Sequence, residues 1–315
     1  MKNPILKSNS AIAALASILL VSLSAHAAVV TWDNGSTDGD WDTPENWDPT
    51  GIPAANDKVI INNGDSVSKT GSVFFNDIIG TSDDGLSLTN GTLTISGDFT
   101  SFTGGGSSSS VNSQIGVDGG ATTATLNIDG TLNIGNTNNT SSSSASMSIF
   151  GGSLVSTNIF QGRLSPSTSG HATGGWTINV LGGSLSAATF DWANTTNLDP
   201  DPIGRVIIGS TGTAVGGTLS VTEMSDDWTD RAGQYVLFND ALGSLTFGKT
   251  NYSNIADVQN LITNDFIRKD GSILDDFGIT DNGSTWTVSI IPEPSTYAML
   301  LGALVLPILF LRRKR

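Results

Sequence analysis

Apolar and polar residues alternate in short runs along the middle of the chain. Each run breaks at a glycine turn and resumes with Ser or Thr followed by Leu. The phrase appears as "LSLTNGTLTI" (86–95), "LNIDGTLNI" (126–134), "MSIFGGSLVS" (147–156) and "INVLGGSLSA" (178–187), with a shorter copy, "AVGGTLSV" (214–221). Period-two alternation predicts strands, and Asn-Gly, Asp-Gly or Gly-Gly predicts a tight turn. The repeated leucines are Leu93, Leu132, Leu154, Leu185 and Leu219.

Two all-β architectures fit. Each phrase can be an independent hairpin of a β-sandwich. Alternatively, each is a corner of one coil, and the coils stack. Only stacking explains why the same words return, because each coil then buries its apolar side on the next. The favoured reading is a single-stranded right-handed parallel β-helix spanning 72–225, with Leu, Ile and Val on internal ladders and Ser, Thr and Asn outside.

The flanks read differently. Residues 28–71 place Trp32, Trp41 and Trp47 close together in a turn-rich segment. They predict an N-terminal cap over the first coil, because an open strand edge invites pairing with other chains. An exposed sugar-binding platform of the same rings is the alternative. Residues 226–291 predict a C-terminal cap. "GQYVLF" and "GSLTFG" read as strands. Ile255, Val258, Leu261, Ile262 and Phe266 have helical spacing, with Asn254 as cap and Asp257 as its capping-box partner. "FGITDNGSTWTVSI" reads as a hairpin turning at Asn282-Gly283 in a type I′ turn.

The chain's two ends concern export. Lys2 and Lys7 precede an apolar stretch from Ala11 to Leu23, followed by Ala25-His26-Ala27. Small residues at Ala25 and Ala27 are what signal peptidase reads, so residues 1–27 are a signal peptide cut after Ala27. At the other end, Tyr297 to Leu311 is apolar and Arg312, Arg313, Lys314 and Arg315 are basic. As a helix this run is about 22 Å long, short for a span. The basic end orients it with everything before Pro292 outside.

Pro292-Glu293-Pro294, Ser295-Thr296-Tyr297-Ala298, the apolar run and the basic end resemble, in that order, the PEP-CTERM sorting signal. The resemblance covers residues 291–315. It implies processing by an exosortase, so that 292–315 is a transient transmembrane sorting helix. It also implies a Gram-negative bacterium that makes exopolysaccharide. The protein is then expected first at the inner membrane, and afterwards at the outer surface or in the biofilm matrix. The repeated phrases between Ser72 and Val221 resemble coils of autotransporter-type passenger domains and other secreted bacterial β-helices. The order of Trp, Asn-Trp, Gly, Pro and Asp in 31–61 is similar to the start of such proteins.

Charge narrows the partners. Residues 28–291 hold 8 Lys and Arg against 28 Asp and Glu. That balance repels polyanions and argues against nucleic acid. The chain has no cysteine, which excludes thiol chemistry and disulfides. His26 leaves with the signal peptide, and His171 is alone in a loop. No Ser-His-Asp triad or multi-histidine metal site can be assembled on that basis.

"DGDWD" sets Asp38, Asp40 and Asp42 at alternate positions, like the start of a calcium loop. The pattern then fails, with Thr43 where a Gly is needed and Pro49 where a bidentate Glu is needed. A looser calcium site drawing on Glu45 or Asp48 is the residual candidate; no other cofactor is expected. Arg163, Arg205 and Asp191 are the candidates for a lyase or glycosidase on the same scaffold. The leading expectation is a non-enzymatic, exopolysaccharide-associated surface or matrix protein. The rivals are a glycan-active enzyme and a carbohydrate-binding adhesin.

Overall fold

A computed structural model describes residues 28–77, 85–103, 110–116, 123–136, 144–163, 176–192, 204–209, 216–225, 234–240, 242–269 and 276–291. The chain passes back and forth between two sheets, which we term front and back. The first coil runs through β3 (Lys58–Ile61), β4 (Ser66–Lys69) and β5 (Val73–Asp77), preceded by β1 (Val29–Trp32) and β2 (Trp47–Asp48). The second runs through β6 (Gly85–Leu88), β7 (Thr92–Ile95) and β8 (Phe99–Thr103). Later coils use one strand per sheet: β9 (Ser110–Ile115) then β10 (Thr125–Asn136), and β11 (Ser144–Ile149) then β12 (Ser153–Arg163). These are followed by β13 (Trp176–Val180) and β14 (Ser184–Trp192), β15 (Gly204–Ile208) and β16 (Thr218–Met224), and β17 (Tyr235–Phe238) and β18 (Ser244–Gly248).

Strands of successive coils pair in parallel. The front sheet runs β1-β3-β6-β9-β11-β13-β15-β17 and ends on β19 (Ile267–Arg268). The back sheet runs β4-β7-β10-β12-β14-β16-β18 and ends on the antiparallel hairpin of β21 (Thr285–Ile290) and β20 (Phe277–Asp281). The result is a β-solenoid of about six turns. The sandwich of independent hairpins is excluded, since every pairing from β3 to β18 is parallel and joins one coil to the next.

The repeated phrases are the front-to-back corners, with one exception. The turn in "LTNGTL" joins β6 to β7, and those in "IFGGSL" and "VLGGSL" join β11 to β12 and β13 to β14. Glycine is needed there because each corner rests on the corner before it. Gly91 has φ +98°, and a Cβ at Gly183 would lie 2.7 Å from the carbonyl oxygen of Gly152. The exception is "LNIDGTLNI". Asp129-Gly130 is no corner, because β10 runs straight through it and spans the positions of both β7 and β8. The extra residue is absorbed as a bulge against β12.

This shifts one expected ladder. Leu93, Leu126, Leu154, Leu185, Leu219 and Leu245 are rung partners in sequence. Leu132 instead belongs to a second ladder with Phe99, Ile159, Phe190 and Met224. All these side chains are buried in one continuous cluster extending from Val30 to Ile290. The core of the described residues therefore lies within 28–291.

The parallel stack runs past both expected solenoid boundaries. β3 and β4 lie within the expected N-terminal cap yet pair as ordinary rungs, as do β17 and β18 at the other end. The helix α1 (Ile255–Thr263) forms as expected. Asn254 accepts from the Asp257 backbone N–H and Asp257 accepts from the Asn254 N–H, which completes the capping box. The last hairpin turns one residue later than expected. The Asn282 N–H donates to the Thr285 carbonyl, so Gly283, at φ +88°, is the first central residue. That is the type II′ pattern rather than I′, which needs positive φ at both central positions. The sorting segment 292–315 lies outside the described residues, and no described helix is long and apolar enough to cross a membrane.

Candidate functional site

The tryptophan cluster is built by β1 and β2, which pair antiparallel with Trp32 opposite Trp47. A short 3-10 turn, Pro44–Asn46, brings the chain back to make that pairing. Trp47 meets Trp32 and Trp41 edge-on, with centroids 4.9 and 4.7 Å apart. Edge-to-face contact suits the ring quadrupoles. The Trp47 indole N–H donates to the Trp41 carbonyl at 2.8 Å, and the Trp32 N–H to Asp65 Oδ2 at 3.2 Å. The three rings are only 1–3% exposed. They offer no face on which a sugar could stack, so the platform expectation does not fit this geometry.

Asp38, Asp40 and Asp42 do not converge. Asp38 accepts from the Asp40 backbone N–H at 2.9 Å, from the Asn46 amide at 2.5 Å and from the Thr43 hydroxyl at 2.8 Å. Those donors, the Asp40 N–H first, hold its carboxyl well below the usual aspartate range. Asp40 accepts from the Asp42 N–H, and Asp42 pairs with Lys69 at 2.7 Å. Each carboxylate is thus turned to a different protein donor, while Glu45 and Asp48 are exposed. No group of three His, Cys, Asp or Glu side chains among the described residues could hold a metal ion. The calcium expectation fails here because the Asp-rich run folds as successive Asx turns, not as a loop around a cavity.

The enzyme candidates fall on both sheets. Asp191 and Arg163 lie on the paired back-sheet strands β14 and β12, with Asp191 opposite Phe160, three residues before Arg163, whereas Arg205 lies on β15 of the front sheet. Arg205 Nε donates to the Thr177 hydroxyl one rung away at 3.1 Å. His171, Ala25, Ala27, the Pro292-Glu293-Pro294 motif and Tyr297, Leu311, Arg312, Arg313, Lys314 and Arg315 lie outside the described residues.

What the outward faces do carry is a set of short polar links between rungs. Gln114 donates to Ser87 at 2.9 Å, Ser146 to Asn112 at 2.6 Å and Asn179 to Ser148 at 3.1 Å on the front sheet. Asn133 donates to Thr100 at 3.2 Å and Thr189 to Asn158 at 2.6 Å on the back. Hydroxyls and amides of successive coils fit this role because parallel rungs sit about 4.8 Å apart.

One concave feature was not foreseen. Beside α1, a cleft of about 580 Å³ is lined by Asn251, Asp257, Asn260 and Asn264, with Tyr252, Leu261 and Phe266 at its apolar side. Asp257, Asn260 and Asn264 share one helix face by their spacing. That polar stripe was visible beside the apolar one used to recognise the helix. No protein-family model matches the chain, and no similar curated protein or solved structure is found.

Proposed function

We propose that the protein is a secreted, non-enzymatic component of an exopolysaccharide matrix or cell surface in a Gram-negative bacterium. Export by the signal peptide and processing of the PEP-CTERM tail by an exosortase deliver it there. The solenoid winds right-handed, as parallel crossover connections do, and residues 297–311 form the transient membrane helix. Exopolysaccharide is the partner, and nucleic acid is not.

One observation carries this reading above the enzymatic one. The outward polar side chains are small, and many are already bonded from rung to rung. Such faces suit a stiff, hydrated spacer. A glycosidase would need two carboxylates flanking a bond at a set separation. The test is incubation of residues 28–291 with exopolysaccharide and anionic glycans, with calcium present. New reducing ends or unsaturated uronates that vanish on replacing Asp191, Arg163 or Arg205 would establish the enzyme instead.

The adhesin reading is favoured by the cleft beside α1. Amides can pair with vicinal hydroxyls, and the Phe266 ring can pack against a sugar's C–H groups. No cation lines the cleft, so its ligand class would be neutral saccharides. Binding of neutral oligosaccharides that is lost in Asn260→Ala with Asn264→Ala would support it.

A further inference from the structure

The backbone nitrogen of Ala28 donates to Asp57 Oδ1 at 3.0 Å. The second oxygen, Oδ2, accepts from the Ala54 N–H at 2.7 Å. Asp57 is 8% exposed, and Ala28 packs against the hydrophobic core. The same two residues open the first parallel pairing of the front sheet. The Lys58 N–H donates to the Ala28 carbonyl at 2.8 Å, and Val29 is the rung partner of Lys58. A buried carboxylate therefore faces the nitrogen at the start of the first strand.

We infer that removal of the signal peptide builds an ion pair at this point and so locks the first rung of the solenoid. The inference rests on the reading that signal peptidase cuts between Ala27 and Ala28. Hydrolysis breaks that C–N bond. The water oxygen joins the Ala27 carbonyl carbon, and the nitrogen departs as the α-amine of Ala28. That amine is mostly protonated near neutral pH, its usual pKa being about 7.7–8.0. A neutral amide donor to Asp57 thus becomes an ammonium without moving. The carboxylate already makes a charge-assisted bond to the amide; the new positive charge adds direct attraction at short range, where burial limits screening. Before the cut, the Asp57 carboxylate accepts there from a neutral amide. After it, the charge of Asp57 is compensated, and the N-terminal end of the stack is complete only once the chain has been exported.

The experiment is a two-by-two comparison on residues 28–291, which contain the core of the described residues. One form begins at Ala28, released by a protease that leaves no extra residue. The other carries a single added Gly before Ala28, which moves the charge away. Each is made with Asp57 and as Asp57→Asn. Hydrogen exchange at the Lys58 amide should be about fivefold faster in the extended form when Asp57 is present. The extension should change nothing in the Asp57→Asn background. Equal effects in both backgrounds, or none in either, overturn the inference. If Asp57→Asn fails to fold, acetylating the native Ala28 amine removes the charge alone and must reproduce the fivefold change. N-terminal sequencing of the exported protein is read separately. A start other than Ala28 defeats the cleavage reading, and with it the coupling to export, whatever the exchange rates show.

Discussion

Leu126 and Leu154 are partners on adjacent rungs of the back sheet, and neither has any exposed surface. Each has the same residue type above and below it, so this ladder is a column of leucines. A missing side chain in such a column leaves a void that neighbouring coils cannot close without breaking register. Leu154→Ala should cost about 2–5 kcal/mol in denaturant unfolding. Val155, the next residue, faces outward and is 44% exposed. Val155→Ala should stay within about 0.5 kcal/mol. Similar losses at both positions would contradict the inside-outside assignment.

Trp47 is the centre of the N-terminal cluster, touching two other indoles and bonded through its own N–H. Trp47→Ala should cost about 3–5 kcal/mol. Acrylamide should quench the wild-type cluster poorly, and titration with oligosaccharides should leave its emission unchanged. A saturable emission change on adding sugar would return these rings to the list of binding residues.

Asp38 gives the cap an acid dependence of known sign. Its carboxyl is held below the usual range by donors present only in the fold. A group with a depressed folded value adds stability above its unfolded value, about 3.9, and loses it as pH falls through the folded value. Tryptophan fluorescence should therefore report loosening only below about pH 3.9. In Asp38→Asn the steepness of that acid limb should fall. An unchanged limb would mean that other carboxylates control it.

Processing of the tail can be read by mass spectrometry of the exported protein. The C-terminus is expected near Pro292–Ser295 in cells with a working exosortase. Recovery of chains ending at Arg315 from such cells would remove the sorting proposal.

Much of the architecture was readable because parallel coils repeat their residues in register. The corner words at Gly91, Gly152 and Gly183 mark where the chain changes sheet. The Asn254-Asp257 box is a local motif and needed no tertiary information. Asp129-Gly130 misled for a physical reason. The same dipeptide serves a corner or a bulge, and only the neighbouring strand β12 decides which. The ladder through Leu126 was therefore read through Leu132 instead. The roles of the tryptophans hinged on β2 returning antiparallel to β1, a long-range pairing that no local spacing encodes. The cleft beside α1 was missed because it joins Asn251 and Phe266 to the polar side of a helix recognised only by its apolar side.

The two ends of the stack have a consequence for assembly. At the start of the front sheet, β2 covers β1 in the antiparallel sense with two residues, Trp47 and Asp48. At the end of the back sheet, β20 and β21 reverse the strand direction. At these two strands, β1 and β18, the described residues leave no parallel edge for another copy to extend, whereas β4 and β5 of the first coil pair in parallel with the second coil alone, apart from one bridge between Asp40 and Ser68. Six turns at the strand spacing make the described stack about 30 Å long, and at β1 and β18 a further copy could join only through an antiparallel neighbour.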